Sequence, residues 1–503
     1  MKQSDNADKY KQQFFILLSV FVVLRLIYIK YCPLDLIPDE TYYWEWTRRL
    51  DWSYYDKGPL IAYLIAIPTK IGGDKAFWVR FTAPFLLCLG SIMTYRLSAD
   101  MFKNQGAAVM SGLLLQIVPL FAVNGVLMTI DSPYIFFWCF SLWSFWKAIN
   151  EKKTFYWYIT GCIIGLGFMS KYTMLLFFPC ALLFLIISQK DRCWLGSIHP
   201  YLASLLSLVV CSPVIIWNAF HDWVTVLHTG GHAHIGEGLR FSFKSLINFT
   251  GSQIGVITPF LFFLVFYTAI KFKHSYPLLR RERLFLLCFS IPIFLFFLLK
   301  SMQAKVQGNW AISSYPALFI LFSFYIVDHW QEFRQKTKMF VKIAVLVSFL
   351  IAFIAHFPFL VPLPGKINPL TRLMGWKELG EEVSRVYDGM PSTAPVFIFS
   401  DRYQVSSEMA FYVKGKPFTY CINLGRRMNQ YDLWPGFENF IGYNAIFVSH
   451  DEHAKLLPTI TEAFARCEML PVALNTRQNK IVESTIYKCY DFKGLELKKP
   501  ESF

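Results

Sequence analysis

Long apolar runs constrain this chain more than any other feature in it. Runs rich in Phe, Leu, Ile and Val begin at 14–31. They recur near 76–97, 106–123, 132–149, 155–170, 172–188, 200–217, 252–271, 284–300, 310–327 and 340–361. A helix rises about 1.5 Å per residue, so ~20 apolar residues cross a hydrocarbon layer ~30 Å thick. Within that layer a helix satisfies its own backbone, which an isolated strand or loop does not. The sequence therefore predicts a polytopic α-helical membrane protein with about 11 transmembrane helices. Segment 59–72 is apolar but short and predicts a helix lying along the interface. The first run follows Lys2, Lys9 and Lys11, and no small-residue cleavage site follows it. It is expected to remain as a membrane helix.

Composition supports that class: 55% of the 503 residues are hydrophobic and 18% aromatic, outside the range of a soluble globular domain. The net charge of +15 does not point to nucleic acid, because the basic residues sit between apolar runs. They concentrate in alternate connections, among them Lys147, Lys152 and Lys153, then Arg280, Arg281 and Arg283. With the N-terminus cytoplasmic, this asymmetry places loop 31–75, loop 218–250 and everything after about 362 on the outer face.

From about 367 the texture changes to strand-length apolar runs, 395–400 and 445–449, with helical signals at 371–387 and 452–467. Pro362, Pro364, Gly365 and Pro369 mark a linker. The expected division is a transmembrane domain over 1–366 and a small C-terminal α/β extracytoplasmic domain over 367–503. The 11 cysteines are scattered without zinc spacing. Cys467 and Cys489 lie in the polar tail, where an oxidising compartment would allow them to pair.

Chemistry concentrates in the loop after the first run, Ile37-Pro38-Asp39-Glu40-Thr41-Tyr42-Tyr43-Trp44-Glu45-Trp46, closed by Tyr54-Tyr55-Asp56-Lys57-Gly58-Pro59-Leu60. A carboxylate at the bilayer centre costs about 2.5–3.5 kcal/mol on lenient scales, so these acids belong in water or a polar cavity at a membrane face. Helix capping explains one of Asp39 and Glu40, not both. A carboxylate so placed suits a general base acting on a hydroxyl. Lys57 is either an interfacial lysine reaching headgroups or the group that neutralises a departing phosphate, with Asp56 orienting it or holding a metal. Asp131-Ser132-Pro133 reads equally as a helix start and as a second carboxylate facing the first. Lys171 and Lys305 fall on the outer side against the charge bias, as anion ligands or as snorkelling lysines. His228, His232 and His234 form an imidazole-rich loop that matches no closed metal site, so either metal binding or polar surface fits it. Asp401-Arg402-Tyr403-Gln404 and the 425–434 segment suit either glycan contact or an interdomain network.

These residues carry a resemblance. Asp39-Glu40, Tyr54-Tyr55-Asp56-Lys57-Gly58-Pro59-Leu60, Asp131-Ser132-Pro133, Gly165-Leu166-Gly167-Phe168-Met169-Ser170-Lys171-Tyr172-Thr173 and Trp310 with Tyr315-Pro316 resemble the bacterial dolichyl-phosphate-mannose-protein mannosyltransferase family. That is glycosyltransferase family 39, whose relatives include the lipid A aminoarabinose transferases. The resemblance covers about residues 10–330. It implies the GT-C fold, a polyprenyl-phosphate-linked sugar donor, and an envelope acceptor such as lipid A or lipopolysaccharide, a glycan or a protein. It implies a bacterial inner membrane location with the site facing the periplasm. Position by position, Asp39, Glu40 and Asp131 become the catalytic acids. Lys57, Lys171 and Lys305 become donor-phosphate ligands, with Asp56 orienting or metal-binding. A divalent metal on the histidines stays open. Relatives show two prolines after the lysine, where this chain has Gly58 in one place. Two other classes fit the composition: a polytopic transporter or lipid flippase, and a non-catalytic envelope scaffold that binds glycan. Transporters tend to hold ionisable residues near the midplane within inverted repeats, and no internal repeat is visible here.

Overall fold

The computed structural model describes residues 2–232, 241–361, 370–450, 455–475 and 481–495. Helix α1 (Lys2–Tyr31) leads into the outer loop, which folds as α2 (Pro38–Thr47), α3 (Leu60–Gly72) and α4 (Ala76–Arg80). The core continues through α5 (Ala83–Phe102), α6 (Gln105–Ile117), α7 (Pro119–Ala122), α8 (Asp131–Glu151), α9 (Thr154–Ser170), α10 (Phe177–Ile187), α11 (His199–Phe220) and α12 (Val224–His232). It closes with α13 (Phe243–Ile257), α14 (Pro259–Ser275), α15 (Arg280–Cys288), α16 (Ile291–Ser301), α17 (Tyr315–Asp328) and α18 (Gln335–His356).

Each of the eleven apolar runs is helical, yet fewer stand as full crossings. Among the described residues six helices are long and apolar enough to cross a membrane, or up to eight if each bent pair is one span. The chain is a multi-pass membrane protein, with a smaller set of full-length spans than the eleven expected. The reasons are local. At 17 and 11 residues, α9 and α10 reach only ~26 and ~17 Å. The run expected at 252–271 breaks between α13 and α14, which meet at 96°. Pro259 cannot donate to a continuing ladder, and Thr258 turns the chain at φ +75°. Pro119 bends the α6–α7 pair by 66° in the same way. Segment 59–72 is helical as expected, as α3.

The C-terminal part carries α19 (Leu370–Leu373), α20 (Trp376–Asp388), α21 (Tyr403–Tyr412), α22 (Pro458–Glu462) and a five-stranded sheet. Its strands are β1 (Val396–Ser400), β2 (Thr419–Cys421), β3 (Asn444–Ser449), β4 (Phe464–Asn475) and β5 (Ile481–Phe492), in the order β2-β1-β3-β5-β4. β1 is parallel to β2 and β3, and β5 is antiparallel to β3 and β4. Period-two alternation splits the side chains: Ile398, Ile446 and Val448 meet α20 and α21, while Phe397, Phe399 and Phe447 join an aromatic layer on the other face. The helical signal at 452–467 shrinks to α22, because Phe464 onward pairs with β5. Cys467 lies directly opposite Cys489 in that pairing, and the two form a disulfide. The expected boundary at 366/367 falls outside the described residues.

Candidate active site

The site is built on the first turn of α2. Pro38 occupies N1, where its missing N–H costs nothing. Glu40 reaches back to accept from the Ile37 N–H at 3.1 Å, so the capping task falls to Glu40 and not to Asp39. Glu40 is wholly buried and fully used. Arg80 donates to it from Nε at 2.9 and 3.1 Å and from Nη2 at 2.6 Å, and the Met128 N–H adds a bond at 2.9 Å. Arg80 also donates to the carbonyls of Leu34 and Asp35. Glu40, expected among the catalytic acids, is thus held inside the protein, and none of its oxygens faces open space. Nothing in the local sequence marks Arg80 as its partner, since Arg48 and Arg49 of the same outer segment offer the same charge.

With Glu40 pinned, Asp39 next to it points the other way. Its side chain stays open to solvent, and the Tyr403 hydroxyl from α21 approaches its Oδ1 at 3.4 Å. Surrounding protein pushes its carboxyl above the ordinary range, and the Asp56 charge adds to that, while Lys57 and Tyr403 pull it down. Asp39 is thus solvent-accessible and its carboxyl is held above the ordinary range. Asp56 is half-buried, its Oδ2 3.9 Å from Lys57 Nζ and its Oδ1 without a hydrogen-bond partner. Burial pushes this carboxyl up as well, against the pull of Lys57. Burial raises the Tyr43 hydroxyl well above its ordinary range, and the charges of Asp39, Asp56 and Asp131 add to that.

Gly58 explains how the lysine loop fits. A Cβ there would stand 2.1 Å from the carbonyl oxygen of Met169, at the end of α9. Only glycine allows Lys57 to be carried this close to the α9 backbone. The departure from the proline of the relatives thus has a steric cause.

Asp131 and Lys171 form one buried ion pair, Lys171 Nζ to Asp131 Oδ1 at 2.6 Å, and Asn309 Nδ2 donates to Oδ2 at 2.5 Å. Lys171 also sits over the Tyr134 ring at 5.3 Å. Lys171, expected as a phosphate ligand, is thus paired with Asp131. Lys305 is exposed on the connection before Tyr315, and no described residue pairs with it. His228 is buried with its ring 4.7 Å from that of Tyr55, and its carbonyl accepts from Arg427. His234 and the side chain of His232 lie outside the described residues. Among the described residues no three His, Cys, Asp or Glu side chains converge as metal ligands.

The C-terminal part closes one wall. Gln430 donates through its N–H to the Tyr42 hydroxyl and accepts from the Tyr55 N–H, both at 2.7 Å. Thr41 donates to Ser407 at 3.1 Å, the Leu36 N–H donates to Tyr412, and Tyr431 donates to the buried Glu45. The 401–404 and 425–434 segments are thus an interdomain network, with Tyr403 alone among these contacts reaching Asp39.

The candidate site is thus an accessible carboxylate and a lysine in the first loop of a multi-pass helical core. Comparison with known proteins carries this further. Residues 56–217 match the family described as dolichyl-phosphate-mannose-protein mannosyltransferase. The lipid A galacturonosyltransferase RgtD of Rhizobium johnstonii is 26% identical over 72% of this chain and 75% of its own. The undecaprenyl phosphate-alpha-4-amino-4-deoxy-L-arabinose arabinosyl transferase 2 of Proteus mirabilis is 25% identical, over 67% of this chain and 65% of its own. Among solved structures, ArnT from Cupriavidus metallidurans bound to undecaprenyl phosphate shares the fold, with a TM-score of 0.67 at 15% identity, covering 95% of this chain and 98% of that one. The chain shares the fold of this membrane sugar transferase and is similar in sequence to the lipid A transferases.

Proposed function

We propose that the chain moves a sugar from a polyprenyl-phosphate donor onto an envelope acceptor, with a lipid A-type glycolipid first among the candidates. The observation that carries this is Asp39, exposed in the first outer loop with the Tyr403 hydroxyl at 3.4 Å and with Lys57 among the charges acting on it. A lipid-linked sugar keeps its tail in the bilayer and presents its anomeric carbon at the interface. Asp39 takes the proton of the acceptor hydroxyl as that oxygen bonds to the anomeric carbon. The bond from that carbon to the donor phosphate breaks, and the polyprenyl phosphate leaves with the electron pair, its charge met by Lys57. Asp131 is held by Lys171 and Asn309. One displacement inverts the anomeric centre.

The names of the relatives support a lipid acceptor, and the Cys467–Cys489 disulfide supports an oxidising, outer-face setting for the C-terminal part. A bacterial inner membrane with the site facing the periplasm is the location this implies. Asp56 is the acid best placed for a divalent ion, yet its near neighbour is the Lys57 ammonium. The reaction above accordingly uses no metal, and transfer should survive chelation. Loss of activity in EDTA with recovery on adding a divalent ion would bring Asp56 and the histidines into the mechanism. The main test is mass spectrometry of envelope lipids and glycoproteins from cells with and without the protein. A sugar missing from a lipid, with inverted linkage relative to its donor, is the expected result. An unchanged envelope or a retained configuration would contradict the reading.

A further inference from the structure

The structure holds a second polar feature inside the helical core that the mechanism leaves unused. Arg25 lies in α1, six positions before its end and so ~9 Å along the axis from the outer loop. It is 6% exposed, and its guanidinium bonds only neutral acceptors, the side chain and the backbone carbonyl of Gln116. No described carboxylate pairs with it. An ionisable group at this depth, held without a counter-charge, is functional by default rather than structural. Gly125 makes room for it, since a Cβ there would lie 2.8 Å from Arg25 Nε.

Arg25 and Gln116 form the polar floor of an otherwise apolar groove of about 500 Å³, walled by α1, the α6–α7 break and α18. Leu24, Ile27 and Tyr31 on one wall and Phe349 and Phe353 on the other remain exposed, so the groove opens sideways where hydrocarbon would lie. Its upper end is Tyr31, Cys32 and Pro33, which lead directly to Asp35 and α2. The Lys57 loop stands elsewhere: its neighbours are the end of α9 at Gly58 and, through Tyr55, Trp217 of α11 and Val224 of α12. The Lys57 loop and the groove thus lie against different helices of the core, and the chain of the groove's upper end leads into α2. An in-line displacement needs the leaving phosphate and the incoming acceptor on opposite sides of the anomeric carbon.

We propose that this groove is the acceptor-lipid site, taking an acyl chain from the bilayer and holding an anionic group of that lipid, a phosphate, on Arg25. This rests on the transferase reading above, and its test reads binding rather than turnover. The full-length protein in nanodiscs is exposed to a diacyl lipid with a phosphate headgroup and a photoreactive acyl tail, beside a diacylglycerol carrying the same tail. Crosslinks to α1 and α18 peptides are expected. Arg25→Gln should lower labelling by the phosphate lipid about tenfold, with labelling by the diacylglycerol unchanged. Arg25→Lys, which keeps the charge, should retain most of it and controls for misfolding. Labelling confined to other helices, equal labelling in wild type and Arg25→Gln, or displacement of the probe by polyprenyl phosphate would each overturn the assignment. Groove labelling without any sugar transfer would instead refute the transferase reading and leave the groove standing.

Discussion

Asp39 and Glu40 are adjacent acids with opposite fates, and the difference lies in what each one faces. Glu40 spends its oxygens on Arg80, Ile37 and Met128 inside the protein. Glu40→Ala should therefore cost stability, about 3–5 kcal/mol for the uncompensated Arg80, seen as early unfolding of the outer loop in hydrogen exchange. Asp39→Asn should leave folding intact and remove activity. Because its surroundings push the Asp39 carboxyl up, the active base is present above that raised value and lost as pH falls through it. The acid limb of kcat/KM should thus begin at a higher pH than for an ordinary aspartate near 3.9. A flat profile across the acid range would remove Asp39 as the base. The Asp131–Lys171 pair calls for a double-mutant cycle: Lys171→Met alone should destabilise by about 3 kcal/mol or more, and adding Asp131→Asn should recover part of that loss. The acidic loop and its lysine were legible in the sequence because charges beside apolar runs need a reason. The partners of those charges were not, since Arg80 and Lys171 each lie 40 positions from the acid they meet.

Helix α2 and the C-terminal part behave as one unit. Tyr42, Tyr431, Trp46 and Phe411 share a buried cluster, and Glu45 lies within it, hydrogen-bonded to Tyr431 with its Oε1 unpartnered. Burial lifts the Glu45 carboxyl to about 7, Tyr431 pulling against it. The folded state therefore binds this proton more tightly than the unfolded chain. That stabilisation is full below the unfolded value near 4.5 and is lost as pH rises through about 7. The clamp between α2 and 425–434 should loosen over that window, by ~3 kcal/mol at most, as faster amide exchange at Tyr431 and its neighbours. Glu45→Gln should flatten the dependence. At this scale the long apolar runs foretold helices, and the strand-length apolar runs 395–400 and 445–449 foretold β1 and β3. Prolines 119 and 259 inside apolar runs were visible too, but hydropathy averages over them, so the bends at 66° and 96° were not read. The 452–467 segment misled because local helical preference yielded to pairing with β5, which brings Cys467 onto Cys489.

At the scale of the whole molecule the proposed reaction asks the membrane core to bring a donor lipid and an acceptor lipid to one short helix, α2. The core sets α9 and α11 near the lysine loop and α1 and α18 along the groove, while the C-terminal part holds α2 in place from outside. The most direct test is transfer in proteoliposomes. Purified protein is supplied with a polyprenyl-phosphate-linked radiolabelled sugar and an acceptor glycolipid extracted from the host envelope, with wild type, Asp39→Asn and Lys57→Ala in parallel. Wild type should move label to the glycolipid fraction, with Asp39→Asn slower by about 10²–10⁴-fold and Lys57→Ala by about 10²–10³-fold, all three equally well folded. Equal transfer by the three proteins would contradict the account at its centre.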